Sequence, residues 1–211
     1  MKHIIIILQF VILFSCASDT EKVEILEKEK TLTKLSPKFT KGQYDFIPET
    51  GVKLYYNSPK SNHIHFITTS KIDTISSKNQ TYQLLYKEVY DAQGESTTPI
   101  QEFVRKSNDT IYHHFEGEGE YIDFLISLRS KWNHQNEWRN ETCTVIDTNS
   151  SIETPVFKWD NLTKVQVENH TQSGDTLLST TFFYYHKNYG HVVTATSDSV
   201  INLFVEKIEE P

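Results

Sequence analysis

Histidines and carboxylates are the side chains of this sequence with the most evident capacity for chemistry. His63 and His65 are two residues apart, so on a β-strand both side chains would point to the same face. Such a pair can supply two zinc ligands, and His113, His114 and Glu116 could supply more. No fixed spacing links the two groups, and histidines on a strand lie far more often on a solvated face. The sequence therefore predicts no metal centre.

A run of alternating glutamates and glycines, residues 116–120, places three carboxylates close together. Hard cations such as Ca²⁺ prefer oxygen ligands, but the run lacks the spaced aspartates of a calcium-binding loop. A solvated turn explains the same residues. We therefore predict no bound cofactor.

Nucleophilic catalysis would need a complete set of partners. Cys143 could act as a nucleophile only beside a histidine base and a group that orients it, and no motif singles out His134 or His170 for that role. The Gly-x-Ser-x-Gly pattern of serine hydrolases is also missing. The sequence predicts a buried Cys143 on a strand, no catalytic residues and no enzymatic activity.

The large aromatic side chains are the remaining candidates for a binding site. Core packing is the usual role of such residues. They can also line a ligand cleft, and we predict that role for Trp132, Trp159 and Tyr184.

Composition narrows the class of protein. The chain has 211 residues, a formal net charge of −7, 7 glycines and only three alanines. The acidic balance argues against nucleic acid as a partner, and neither GxxxxGK nor GxGxxG occurs, so no phosphate-binding loop is indicated. Alanine has the highest helix propensity and is scarce here, which disfavours helices. Abundant Thr, Ile, Tyr and Phe favour strands.

The elements that must position these residues are strands. Tyr82, Leu84, Tyr86 and Tyr90 fall on one face of a period-two pattern. Turn residues such as those at 107–109, 173–175 and 197–198 separate strand-like runs. We predict a mainly β fold, a single antiparallel and strongly curved sheet or open barrel with little helix. Residues 120–132 are the best candidate for a short helix or an irregular crossover.

The N-terminus has the features of an export signal. Lys2 and His3 precede an apolar run, residues 4–14, which is too short to span a bilayer but has the length of a signal-peptide core. The run ends in Leu13-Phe14-Ser15-Cys16, which resembles the lipobox of bacterial lipoproteins. That resemblance implies cleavage before Cys16 and lipidation of Cys16.

Three segments follow from this interpretation: a signal peptide at residues 1–15, a lipidated cysteine and charged tether at 16–43, and the antiparallel β domain at 44–211. The tether is rich in Glu and Lys and has too few apolar residues to form a core. The predicted location is the bacterial cell envelope, as an outer-membrane lipoprotein facing either the periplasm or the surface. The lipid anchor makes the membrane a partner.

The β domain also resembles a known group of proteins. Two regions carry the resemblance: Tyr44-Asp45-Phe46-Ile47-Pro48 followed by Gly51 and Tyr55-Tyr56, and Leu125 to Trp132 followed by Thr154-Pro155-Val156-Phe157 and the segment from Tyr184 to Val193. They are similar to an uncharacterised family of bacterial lipoproteins with aromatic-Pro and Tyr-Tyr-x-x-x-x-Gly-x-Val signatures. The resemblance implies a curved antiparallel sheet, akin to the open barrels of lipoprotein carriers, and no catalytic residues.

Two functions remain open from the sequence. The chain is either an envelope lipoprotein that binds an apolar or amphipathic ligand, or a surface scaffold that binds an envelope protein without any small ligand. Enough chain follows the tether for a barrel that fills its own interior or for one that encloses a ligand.

Overall fold

The computed structural model describes residues 45–61, 64–75, 81–115, 119–135, 140–197 and 200–211. The predicted signal peptide, Cys16 and the tether lie outside these residues, as do His63, Glu116 and Glu118. No helix in the described part of the chain is long and apolar enough to cross a membrane.

Twelve strands account for most of the described residues, in which no helix occurs. Their bounds are β1 Lys53–Asn57, β2 Phe66–Ile75, β3 Thr81–Val89, β4 Ile100–Ser107, β5 Thr110–Phe115, β6 Gly119–Leu125, β7 Lys131–Gln135, β8 Asn140–Glu153, β9 Lys158–His170, β10 Leu177–His186, β11 Gly190–Ser197 and β12 Val200–Glu209. The prediction of a mainly β fold is confirmed.

The strands form one antiparallel sheet in the order β6-β5-β4-β3-β2-β1-β12-β11-β10-β9-β8-β7. The two halves of the chain are runs of hairpins, which join where β1 pairs with β12. The sheet curls until its edge strands β6 and β7 meet. One contact between them is a hydrogen bond from the His134 imidazole on β7 to the backbone carbonyl oxygen of Ile122 on β6. This near closure makes the fold an open barrel, as predicted.

Residues 120–132 differ from the sequence prediction of a helix or crossover. They contain most of β6, a turn and the start of β7. The turn is stabilised by the Arg129 amide, which donates to the Val145 carbonyl, and Arg129 itself has a φ of 65°. Arginine is not a residue that usually marks a left-handed turn position, so the sequence carries no visible turn signal there.

Apolar side chains pack in two clusters. One includes Trp159, Leu162, Tyr184 and Tyr189 and lies among strands β1 and β8–β12. The other includes Ile47, Ile111, Phe124, Trp132 and Cys143 and takes residues from β4 through β10. The second cluster lines the interior of the barrel.

The chain that precedes β1 closes one end of that interior. Ile47 is fully buried, and the Pro48 carbonyl oxygen accepts hydrogen bonds from Ser70 Oγ (3.1 Å) and Gln83 Nε2 (2.5 Å). The Phe46 amide donates to the Lys187 carbonyl, and the Phe46 ring meets Phe124 edge-on at 5.1 Å between centroids. Residues 46–48 are therefore tied to both halves of the sheet.

Candidate functional site

The interior of the barrel holds a cavity of about 350 Å³. Eleven of the twelve strands contribute lining residues, β12 being the exception among the described elements. Successive side chains of a strand point to opposite faces, so each strand usually contributes residues two apart. On five strands this spacing pairs an apolar or thiol side chain with an ionisable one: Leu85 and Lys87, Val104 and Glu102, Ile111 and His113, Trp132 and His134, Cys143 and Glu141.

The ionisable members of these pairs all lie toward one end of the barrel. On β3, β5 and β7 the ionisable residue comes two positions after its partner, whereas on β4 and β8 it comes two positions before. Odd and even strands run in opposite directions, because every neighbouring pair is antiparallel. On all five strands, therefore, the ionisable residue lies on the same side of its apolar or thiol partner in space. The cavity has an apolar end and an ionisable end.

The apolar end is the one that residues 46–48 close. Gln83, which binds the Pro48 carbonyl, precedes Leu85 on β3, and Lys87 lies farther along the same strand. Gly190 opens β11 beside this end, and a Cβ built on it would lie 2.7 Å from the Phe46 carbonyl oxygen. The close approach of these two segments packs residues 46–48 over the apolar end.

An ion pair and a histidine–carboxylate contact lie at the opposite end of the cavity. Lys87 Nζ lies 3.2 Å from Glu102 Oε1, and His113 Nε2 lies 3.5 Å from Asp123 Oδ2. The side chains of these four residues keep between 13% and 26% of their exposure, so this end of the cavity is accessible to solvent. A polar group that enters here would meet both donors and acceptors.

His134 is the most strongly perturbed group of the ionisable end. Burial alone would lower its pKa, but interactions with Cys143, with Glu141 and with the Ile122 carbonyl outweigh burial and raise the pKa to about 10. Its Nδ1 lies 3.4 Å from Glu141 Oε2. The negative field of this corner therefore favours a cation at the position of the imidazole.

His191 also lines the cavity, but its pKa is shifted in the opposite direction to that of His134. Burial, with the nearby Lys87 charge, lowers its pKa to about 4. Its Nε2 lies 2.9 Å from Thr194 Oγ1, and its ring stacks on Tyr56 at 5.9 Å between centroids. Burial therefore favours the neutral form of His191 at physiological pH.

Trp132 contributes a buried donor. Its side chain is only 8% exposed, and its indole Nε1 has no hydrogen-bond partner among the residues that the structure describes. A buried donor without a partner costs about 1–3 kcal/mol. An acceptor atom of a water or a ligand in the cavity would remove that cost.

The three aromatic residues predicted to line a cleft divide between the two apolar clusters. Trp132 lines the cavity. Trp159 and Tyr184 are each 1% exposed in the cluster of β1 and β8–β12, and they are not among the residues around the cavity. Tyr185, the neighbour of Tyr184, faces the cavity instead and stacks on Phe124 at 4.2 Å. A strand presents adjacent residues to opposite faces, so Tyr184 could not share that position.

Among the histidines considered for a metal site, His113 lies in the cavity wall, whereas His114 packs against Tyr82 and Phe103. His65 is described, but His63 and Glu116 are not. Of the residues considered as zinc ligands, the described His65, His113 and His114 do not form a group with metal-ligand geometry. Cys143 is buried on a strand, as predicted.

Sequence reasoning did not single out Lys87, Glu102, Asp123 and Glu141 as cavity residues. Each shares its strand face with an apolar, aromatic or thiol side chain two positions away, and such a mixed face is not a clear core face in the sequence pattern. Only the curl of the sheet shows that this face is the inside. A carboxylate or a lysine on an inward-facing position would have indicated a polar cavity. The sequence alone does not show which positions face inward, because that depends on how the strands pair.

Comparisons with known proteins find likeness in structure only. No protein-family model matches the chain, and no curated protein sequence matches it significantly. Two solved structures are similar: a candidate lipoprotein from Parabacteroides distasonis ATCC 8503 with a TM-score of 0.48, and a candidate exported protein with a YmcC-like fold from Bacteroides fragilis NCTC 9343 with a TM-score of 0.49. Each is 13% identical to this chain, and each alignment covers 79% of this chain and 99% of the other.

Proposed function

We propose that this protein is a lipoprotein of the bacterial outer membrane whose barrel interior binds a small amphipathic ligand. The observation that carries the proposal is the division of the cavity into an apolar end and an ionisable end. Ligand pockets typically combine apolar walls with a few polar groups that orient the ligand. Here the ligand's apolar part would lie against Leu85, Val104 and Ile111, and its polar part would face Lys87 and Glu102.

Size limits the class of ligand. A cavity of about 350 Å³ lies near the lower end of the range for small-molecule sites, which is about 300–1,000 Å³. This favours a compact amphiphile over a lipid with several long chains. The ligand would enter from the ionisable end, because residues 46–48 close the other.

The N-terminal sequence supports the location. Lipidation of Cys16 would hold the protein at a membrane, since the multiple acyl chains of bacterial lipoproteins anchor far more firmly than one chain. The tether would place the barrel in the water beside the membrane. From there it could take up or release an amphiphile.

A scaffold that binds another envelope protein is the second candidate. Leu177 and Leu178, at the start of β10, are 51% and 64% exposed. Two adjacent exposed leucines favour contact with a partner more than single apolar residues do. They do not use the cavity, so the two candidates can be separated by experiment.

A cavity-filling substitution tests the ligand proposal. Val104 is buried and lines the apolar end, so Val104→Trp should fill it. Leu178→Trp adds the same side chain to an exposed position and is the matched control. The probe is 1-anilinonaphthalene-8-sulfonate, a compact amphiphile, titrated by fluorescence.

We expect saturable binding to the wild type and to Leu178→Trp, and binding at least tenfold weaker to Val104→Trp. Circular dichroism would show that both variants keep the strand signal. Equal binding by all three proteins, or no binding by the folded wild type, would contradict a cavity site. If only Leu178→Trp altered the capture of a protein partner, the scaffold would gain support.

A further inference from the structure

His134, Glu141 and Cys143 form a cluster of three different metal-ligand types. Glu141 and Cys143 are two residues apart on β8, so their side chains share the inward face. His134 lies directly opposite Glu141 in the β7–β8 pairing. The ligand atoms of all three side chains, Nδ1 or Nε2, a carboxylate oxygen and Sγ, lie within 4.8 Å of one another.

We propose that these three side chains form a binding site for a divalent transition metal of the zinc class. A thiolate and an imidazole suit Zn²⁺ and similar borderline-soft ions, and a carboxylate is also a ligand type that Zn²⁺ accepts. Ca²⁺ and Mg²⁺ prefer sites made of oxygen atoms only. The combination of sulfur, nitrogen and oxygen therefore selects the transition metal.

The hydrogen bonds of His134 support this assignment. Its Nε2 contacts the Ile122 carbonyl oxygen on β6, and its Nδ1 faces Glu141 at 3.4 Å. Histidines that bind metals almost always donate the other ring N–H to a carbonyl or carboxylate, which fixes the tautomer and the orientation of the ring. The Ile122 carbonyl has this role here and leaves Nδ1 directed at the cluster.

The distances require only a small closure. In tetrahedral zinc sites with bonds of about 2.0–2.3 Å, ligand atoms lie about 3.3–3.8 Å apart. The Nδ1–Oε2 distance of 3.4 Å already falls in this range. At the outer limit of 4.8 Å for the whole set, side-chain rotation would have to bring ligand atoms about 1 Å closer.

Three protein ligands leave a fourth position open to the cavity. His134, Glu141 and Cys143 all line it, as do Tyr121 and Asp123 on the adjacent strand β6. In zinc sites with three protein ligands, the fourth position holds water or an exogenous group. The metal site goes beyond the proposed amphiphile binding and does not depend on it.

Metal binding can be tested on the full-length protein purified from its membrane, stripped with a chelator and dialysed against Zn²⁺. We expect one zinc per chain by elemental analysis. Cobalt substitution should add a thiolate-to-cobalt charge-transfer band and intense visible bands typical of tetrahedral Co²⁺. This spectroscopic signature is read on the wild type and so needs no variant to fold.

Two variants and a control assign the ligands. Cys143→Ser should abolish the charge-transfer band, and Glu141→Gln should weaken zinc binding at least tenfold. Cys16 is present in every protein compared, so it cannot cause a difference between them. His170→Gln is the matched control, because Glu168 and His170 are another carboxylate and imidazole two residues apart, on β9, with His170 Nε2 4.0 Å from Glu168 Oε2.

The proposal predicts that the control binds metal like the wild type. It is overturned if the stripped wild type takes up no zinc or cobalt, or if cobalt binds without the charge-transfer band. It is also overturned if folded Cys143→Ser retains full zinc affinity. Loss of zinc without loss of 1-anilinonaphthalene-8-sulfonate binding would show that the metal site and the amphiphile site are independent.

Discussion

Gly190 has no room for a side chain. Its φ is +70°, a conformation that L-residues rarely adopt, and a Cβ there would lie 2.7 Å from the Phe46 carbonyl oxygen. That neighbour is backbone, which cannot move aside as a flexible side chain can. Gly190 therefore allows the segment before β1 to close the apolar end of the cavity.

We expect Gly190→Ala to lower the free energy of unfolding by at least about 2 kcal/mol, because it combines backbone strain with a steric clash. Gly94→Ala is the matched control: Gly94 has a φ of +81°, but nothing lies within 4 Å of its Cβ position. The control should cost only the backbone strain, about 1 kcal/mol. Urea unfolding measures both, and equal losses would contradict the close approach to Phe46.

His186 provides a pH-dependent contribution to stability. Burial lowers its pKa to about 4, against an ordinary value of about 6.5. Above pH 6.5 the residue is neutral in both the folded and the unfolded chain. As the pH falls from 6.5 towards 4, only the unfolded chain takes up the proton, so the folded state loses stability. His191, with a pKa also lowered to about 4, acts in the same direction.

For His186→Asn we expect a shallower loss of stability between pH 6.5 and 4. The wild type should lose up to about 3 kcal/mol more than the variant over this window. Asparagine keeps an acceptor for the Asn188 amide, which donates to His186 Nδ1 at 3.2 Å. The measurement is urea unfolding at several pH values, and identical pH profiles for both proteins would refute the assignment.

Individual residues could be predicted from the sequence where their local chemistry is distinctive. Cys143 was predicted to be a buried side chain on a strand, and the structure shows this. The cluster of His134, Glu141 and Cys143 could not be found in this way. Its members come together only through the register of β7 with β8, which local patterns do not specify.

Strands were predictable wherever turn residues bounded them. The turn at 107–109 between β4 and β5 has Asn108 at a φ of 51°, and the turn at 173–175 has Gly174 at 80°. The prediction failed at β6 and β7 because the intervening turn has Arg129 at the left-handed position. Both faces of β6 also carry apolar or aromatic residues, which hides the period of two.

The N-terminal segment makes its own prediction about location. If Leu13 to Cys16 is a lipobox, the mature protein begins at a lipidated Cys16. Cys16→Ala should then move the protein from the membrane fraction to the soluble fraction or leave its signal peptide uncut. Fractionation with N-terminal sequencing measures this. A wild-type protein that begins at another residue would contradict lipidation at Cys16.

The cavity is a property of the whole molecule. Neighbouring strands run in opposite directions, and the order of the apolar and ionisable lining residues along the chain is reversed between β3, β5 and β7 on one side and β4 and β8 on the other. The ionisable residues of all five strands therefore lie at the same end of the cavity. The sequence predicted a curved sheet or open barrel, but it could not show which face turns inward. A one-residue change of register would exchange the two faces of a strand, so the lining depends on pairings between residues far apart in the chain.

Native mass spectrometry of the protein, extracted gently from the cells that produce it, tests the central claim most directly. If the barrel interior binds a small amphiphile, a discrete adduct should survive on the wild type and on Leu178→Trp. It should be lost from Val104→Trp, whose added side chain occupies the apolar end. A wild-type protein that is folded and carries no adduct, or an adduct that persists unchanged on folded Val104→Trp, would contradict ligand binding in the cavity.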